Sequence, residues 1–121
     1  MCKNLKTIEF PSSLKIIADD SFSDAGFESL EILSVEFIGD RAFTSCNFLQ
    51  EITLSKRLCS LGDCCFQTSG LMVINFLGTK EEWLTLLSNS SSNWDDYMTT
   101  SYRVICSDYT YSSLSDSWTN T

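Results

Sequence analysis

An internal repeat constrains the fold of this chain more than any other feature of its sequence. Residues 5–22 and 49–66 share one apolar spacing over 18 positions without a gap. A related stretch begins between them at Leu30 and another after them at Leu71, so we place the repeat starts, with a mean period of 22 residues, at Leu5, Leu30, Leu49 and Leu71. The second repeat then carries a four-residue deletion. A period of this length predicts a solenoid whose stacked repeats share one core, and an ordinary α+β domain with accidental similarity is the alternative.

The opening hexad of each repeat, Leu-x-x-(Leu/Ile)-x-apolar, is the strand signature of leucine-rich repeats. Because side chains alternate along a strand, the fourth and sixth positions point into the core, and the third and fifth face the open side. The fold class we predict is an α/β repeat, namely a short leucine-rich repeat solenoid of about 3.5 repeats with one parallel β-sheet. Later apolar residues should line the opposite wall: Ile17/Phe22, Ile38/Phe43 and Leu61/Phe66.

Residues 78–108 predict a C-terminal cap. Thr79 and Glu82 have the spacing of a capping box, and an apolar stripe of Trp83, Leu84, Leu86 and Leu87 follows, so we expect a helix over 80–88 that seals the last repeat. Residues 102–107 predict a terminal strand with Trp94 packed beside it. Residues 109–121 are rich in Ser and Thr without periodicity, which predicts a disordered tail. The predicted organisation is therefore repeats over 2–77, the cap over 78–108 and the tail.

Several motifs resemble a known family. The runs Ile38-Gly-Asp-Arg-Ala-Phe43 and Leu61-Gly-Asp-Cys-Cys-Phe66 are similar to BspA-type leucine-rich repeat proteins, and 76–83 with 104–108 resembles the segment that closes many such arrays. The resemblance covers about residues 2–108. The chain departs from the family's usual Gly, Pro and Gly at Ala18, Ser55 and Tyr109. The resemblance implies a surface or secreted protein that attaches to host or neighbouring-cell proteins.

Charge and composition exclude several classes of function. The chain has 16 acidic and 8 basic residues and no histidine. Phosphate binding needs clustered Lys and Arg, so we expect no nucleic-acid partner. Histidine-based triads and zinc sites with histidine ligands are excluded as well. No apolar stretch is long enough for a membrane span, and no signal peptide is apparent at the start of the sequence. We therefore expect either that the protein stays inside the cell or that the chain is part of a longer surface or secreted protein.

The six cysteines do not follow the spacing of a zinc site or a redox dithiol. Cys2 and Cys46 share one repeat position and Cys65 occupies a small-residue position, which is typical of buried thiols. Cys106 lies in the predicted terminal strand, whereas Cys59 and Cys64 fall at positions we expect to be exposed. Structural thiols are the favoured interpretation, and at least one disulfide or a metal site are the alternatives.

No catalytic, cofactor or metal site is predicted. The acidic pairs Asp19-Asp20, Glu81-Glu82 and Asp95-Asp96 lack the spacing of a calcium loop and are typical of solvated carboxylates. Asn89-Ser-Ser fits a glycosylation acceptor, a pattern that also arises by chance. A base beside a nucleophilic Ser or Cys is not recognisable. We therefore expect a protein that is not an enzyme.

The open side of the strands remains as the candidate site. Its predicted protein-binding residues are Thr7, Glu9, Ile32, Ser34, Glu51, Thr53, Val73 and Asn75. The function we predict is non-catalytic protein recognition or adhesion. A structural end-cap of a longer array with no ligand of its own is the first alternative, and a carboxylate-dependent hydrolase is the second.

The first repeat has no predicted polar cap before it. Solenoids need capping at both ends for solubility. We therefore expect either that the chain is the C-terminal part of a longer array or that its first repeat associates with a second copy.

Overall fold

The computed structural model of the chain describes residues 10–121, and its strands recur with the repeat. The elements, in chain order, are β1 (Ile16–Ile17), β2 (Ser29–Ile32), β3 (Phe37–Ile38), β4 (Glu51–Leu54), β5 (Ser60–Leu61), β6 (Val73–Phe76), α1 (Lys80–Ser88), β7 (Arg103–Ile105), β8 (Tyr109–Ser112) and β9 (Ser117–Asn120). The coil with β2 and β3 and the coil with β4 and β5 each contribute one strand to each of two sheets.

The two sheets form opposite walls of the repeat region. One is a three-stranded parallel sheet in the order β1-β3-β5, and the other has six strands in the order β2-β4-β6-β7-β8-β9. The first four strands of the larger sheet are parallel, as predicted, but β8 and β9 pair antiparallel and make the sheet mixed. The apolar pairs predicted for the opposite wall lie in or beside the smaller sheet, where Ile17, Ile38 and Leu61 are buried.

The register of β2 corrects the predicted alignment of the second repeat. Leu30 pairs with Ile52, which places Phe27, and not Leu30, level with Leu49 at a period of 22 residues. Phe27 is fully buried, as Leu49 is. The four-residue deletion is therefore wrong, because the path from Phe27 to Ile38 is only one residue shorter than the path from Leu49 to Leu61.

The error has a physical reason. A phenylalanine replaces the expected leucine at the first position of the repeat, and Leu30 and Leu33 imitate the hexad three residues later. The predicted column of repeat starts thus contains Phe27, Leu49 and Leu71, which are all fully buried. Leu5, the first predicted member, lies outside the described residues.

A column of aromatic rings runs along the core. Phe22 stacks on Phe43 and Phe43 on Phe66, with ring centroids 5.8 and 5.7 Å apart. Trp94 closes the column with its edge toward Phe66, at 6.4 Å. Offset and edge-to-face arrangements of this kind are favourable beyond the burial of area alone. The terminal Phe of each repeat therefore carries much of the contact between coils.

Backbone hydrogen bonds join equivalent turns of successive coils. The Phe22 amide donates to the Ala42 carbonyl and the Phe43 amide to the Cys65 carbonyl, each at 2.9 Å. Left-handed backbone recurs at two places in each of these turns, at Asp20, Arg41 and Cys64 and at Asp24, Ser45 and Thr68. Through these bonds the irregular backbone of each turn is satisfied by its neighbour.

The predicted cap helix is confirmed at Lys80–Ser88. Its capping box is complete, since the Glu82 amide donates to Thr79 Oγ1 and the Thr79 amide to Glu82 Oε1, at 3.2 and 3.0 Å. Trp83 and Leu86 are buried, as the seal requires, whereas Leu84 is half exposed. The terminal strand falls within the predicted segment, as Arg103–Ile105, with Trp94 packed on Tyr102 at 5.8 Å.

The disordered tail predicted for 109–121 is wrong, because this segment forms the β8–β9 hairpin. Tyr111 and Trp118 alternate with its polar residues, contact each other at 5.3 Å and pack against the core. Thr, Tyr and Trp favour strands, so the high content of Ser and Thr is compatible with sheet. Composition alone does not reveal this alternation.

Candidate functional site

The candidate site is the face of the six-stranded sheet that points away from the core, which we call the open face. The strand register aligns its side chains in two rows. Along β2, β4, β6 and β7, one row contains Ser29, Glu51, Val73 and Arg103, and the other contains Glu31, Thr53, Asn75 and Ile105. The hairpin extends the rows with Thr110, Ser112, Ser117 and Thr119.

Four of the predicted site residues lie on the open face: Glu51, Thr53, Val73 and Asn75. Ile32 does not, since it is 1% exposed and belongs to the core. Ser34 follows β2 and donates to the Leu14 carbonyl at 2.8 Å. A register error of an odd number of residues moves every side chain to the other face, which explains both corrections. Thr7 and Glu9 lie outside the described residues.

The sequence prediction missed Ser29, Glu31, Arg103 and Ile105. The first two follow from a 22-residue period counted from Phe27, which places them level with Glu51 and Thr53. Arg103 and Ile105 pair with Val73 and Asn75 across a longer connection that contains the helix. Alternation around the buried Val104 is the signal that marks them.

Charge is divided along the open face. Glu31 and Glu51 lie on β2 and β4, while Arg103 lies on β7. The Asn75 side-chain amide donates to the Glu51 carboxylate and links β6 to β4. Six strands at about 4.8 Å spacing, each with about 10 Å of exposed length, make a face of roughly 300 Å². The described part of the face therefore offers mixed polar contacts to a ligand.

The acidic residues of the turns are used in contacts between coils. The Asp40 amide donates to Asp19 Oδ1 and the Asp63 amide to Asp40 Oδ1, at 2.7 and 2.8 Å. Arg41 pairs with Asp20 at 3.3 Å on the surface, where such an ion pair contributes little. Within residues 10–121, no group of three Cys, Asp or Glu side chains is arranged to hold a metal ion. These carboxylates serve the stacking of the turns.

Burial separates the thiols of residues 10–121 into two groups. Cys46 and Cys65 are buried, as their repeat positions indicated, and Cys106 in β7's continuation is buried too; all three are unpaired, whereas Cys59 is exposed. Cys64, expected to be exposed, is half-buried. Burial raises the pKa of Cys46 and of Cys106 to about 11, and it raises the pKa of Cys65 as well. A thiol in such surroundings stays protonated and is a poor nucleophile.

Comparison with known proteins supports the repeat architecture. The family model described as a BspA type leucine rich repeat region of six copies matches residues 1–91. The match runs past the last predicted repeat and includes α1. A search of curated proteins and a search of solved structures found no match. In the part of the chain that the structure describes, no helix is long and apolar enough to cross a membrane.

The family match covers three quarters of the chain, and the described coils have the strand and core pattern that such repeats require. The repeat family is generally non-catalytic. The chain belongs to the BspA-type leucine-rich repeat family.

Proposed function

We propose that this chain is a non-catalytic protein-recognition module, part of a surface or secreted protein, and that its open face contacts the partner. Continuity of the open face carries the proposal. The strand register keeps the non-core positions on one side across all six strands, and the described face is polar or charged except at Val73 and Ile105.

The size of the face sets the expected strength of binding. Roughly 300 Å² is well below the roughly 800 Å² that each partner contributes to a stable interface. Binding by this chain alone should therefore be weak, and further repeats would strengthen it by lengthening the face. Membership of this repeat family is compatible both with this number of repeats and with a longer array.

A structural end-cap without a ligand is the second candidate. The antiparallel β8–β9 hairpin favours it, because it interrupts the parallel ladder after β7. This hairpin also bears residues of the open face, so the two functions differ in whether that face is occupied.

Site-specific photo-crosslinking distinguishes the two candidates. A photoreactive residue replaces Thr53 on the open face in one variant and Lys15, exposed near the smaller sheet, in the control. Recognition predicts a defined protein adduct in the native host from position 53 and not from position 15. Absence of adducts, or the same adducts from both positions, would favour the end-cap.

A third variant, Val73→Arg, places a charged side chain in the middle of the same face. Val73 is only half-buried, so the variant should fold. If the open face is the contact surface, the substitution removes the adduct formed from position 53.

A further inference from the structure

A cleft opens at the C-terminal end of the solenoid, on the side of the sheet opposite the open face. It lies between α1 and the β8–β9 hairpin and has a volume of about 190 Å³. Five aromatic rings and one carboxylate dominate its walls: Trp83, Trp94, Tyr102, Tyr111, Trp118 and Asp95. The cleft is separate from the proposed recognition surface.

The rings of the cleft are held in place by one another. Trp83 and Trp94 lie 5.7 Å apart, Trp94 and Tyr102 5.8 Å, and Tyr102 and Tyr111 6.2 Å. Trp83, Trp94 and Tyr102 are each less than a tenth exposed, so their positions are set by packing. The face of an aromatic ring is electronegative, so a cleft lined by fixed aromatic rings favours cations.

The polar groups in and beside the cleft, like its aromatic rings, indicate a positively charged ligand. The Tyr102 hydroxyl donates to Asp95 Oδ2 and the Tyr111 hydroxyl to Asp116 Oδ1, both at 2.7 Å. Both phenols thus already donate their hydroxyl proton in a hydrogen bond. The pKa of each phenol is raised, and that of Tyr111 reaches about 12, mainly because of its bond to Asp116. Two carboxylates beside aromatic rings, in a chain of formal charge -8, favour a cationic ligand.

A cation of the chain itself already lies on this aromatic surface. Lys80 Nζ is 5.1 Å from the ring centroids of both Tyr109 and Trp118. Trp118 also lines the cleft. The rings of the hairpin therefore attract an ammonium group in the described structure, next to the cleft.

We propose that this cleft binds a quaternary ammonium group carried by a small soluble molecule. A quaternary ammonium has methyl groups that fill space against aromatic faces and needs no hydrogen-bond acceptors. A primary ammonium is strongly hydrated and must find acceptors for three donors, whereas the cleft offers chiefly Asp95. An anionic ligand would meet the carboxylate.

Titration of the whole chain with choline, followed by tryptophan fluorescence, tests the proposal. The comparison ligand is 3,3-dimethylbutan-1-ol, which has the same shape without the charge, and ethanolamine supplies the primary ammonium. We expect choline to bind about tenfold more tightly than either. Equal affinity for the neutral alcohol would show a merely apolar cleft, and no saturable response to choline would overturn the proposal outright.

A matched pair of variants locates the site. Asp95→Asn keeps an acceptor for the Tyr102 hydroxyl but removes the charge, and it should weaken choline binding about fivefold. Asp96→Asn removes an adjacent exposed charge that does not line the cleft and should leave binding unchanged. Equal effects of the two variants would contradict the assignment.

A second variant keeps the test decisive if Asp95→Asn does not fold. Trp118→Leu removes a half-buried ring at the hairpin, and near-ultraviolet circular dichroism checks the remaining structure. Choline binding should be lost in this variant. Unchanged binding by a folded Trp118→Leu chain would refute the site.

Discussion

Two glycines determine how closely neighbouring coils approach. A Cβ atom on Gly62 would lie 2.6 Å from the Gly39 carbonyl oxygen, and one on Gly39 would lie 2.6 Å from the Asp19 amide nitrogen. Both neighbours are backbone atoms, which cannot move without displacing a coil. Ala18 occupies the equivalent place in the first described coil, where it is exposed, so its methyl group does not enter such a contact.

Gly62→Ala should lower the free energy of unfolding by about 1–3 kcal/mol, the usual cost of overpacking. Urea denaturation measures the change. Ala18→Ser is the control at the equivalent position, and a solvent-exposed substitution there should change stability by less than about 0.5 kcal/mol. Equal stability of the Gly62→Ala chain and the natural chain would show that the coils are not closely packed.

The buried thiols predict a loss of stability in alkali. Cys46 and Cys106 have pKa values raised from 9.0 to about 11, so the folded state holds protons that the unfolded state releases. The free energy of unfolding should be unaffected below pH 9 and fall between pH 9 and pH 11, by roughly 2 kcal/mol for each thiol. Urea denaturation across this range tests it, and Cys46→Ala should make the fall smaller. Stability that stays constant in this range would contradict burial of the thiols.

At the scale of elements, α1 depends on its local capping interactions. Thr79 accepts from the Glu82 amide, and Lys80 donates from its own amide to Asp108 Oδ1 at 2.8 Å, so two free amides of the first turn are satisfied by side chains. The buried Trp83 and Leu86 then fix the helix against the last coil. Capping and burial together place the helix against β5, the last strand of the smaller sheet.

Thr79→Ala should destabilise the chain by about 1 kcal/mol, because an amide at the helix start loses its acceptor. Glu82→Gln keeps the reciprocal bond of the capping box and should cost much less. Chemical denaturation of both variants, followed by circular dichroism, gives the comparison. A larger effect of Glu82→Gln would assign the stabilisation to charge at the helix start.

Elements with local signals could be predicted from the sequence, and elements that depend on distant partners could not. The capping box located α1 to the residue. The register of β2 was wrong because Phe27 and Leu33 are both apolar, and only pairing with β4 shows which is buried. Glu51 and Asn75, on correctly predicted strands, lie on the open face, whereas Ile32 lies in the core. The hairpin was missed because its stability comes from Tyr111 and Trp118 packing on the cap.

At the scale of the whole molecule, the cap and the hairpin extend the core of the coils and cover its end. Aromatic contacts continue from the column of phenylalanines through Trp94 and Tyr102 to Tyr111 in the hairpin. In a solenoid each unit contacts only its neighbours, so loss of a terminal unit exposes the unit before it. The hairpin therefore acts as the outermost layer of the described core.

Removal of residues 109–121 should destabilise the remaining chain by about 3 kcal/mol or more, because Tyr111 and Trp118 no longer cover the core. Urea denaturation and binding of a hydrophobic dye measure the effect, and dye binding should rise. Leu114→Ser, at a turn residue that is 85% exposed, is the control and should behave like the natural chain. Unchanged stability of the truncated chain would mean that the hairpin contributes nothing to the fold.

The two sheets differ in how regularly they repeat. Strands of the larger sheet pair at 22 residues throughout the described coils, whereas strands of the smaller sheet pair at 21 and then at 23. The corner between the sheets thus absorbs single insertions and deletions without disturbing either ladder. Unequal crossing-over between repeats in the gene would then add or remove whole coils in register, whatever the length of the corner. The number of coils can therefore change faster in evolution than the way they pack.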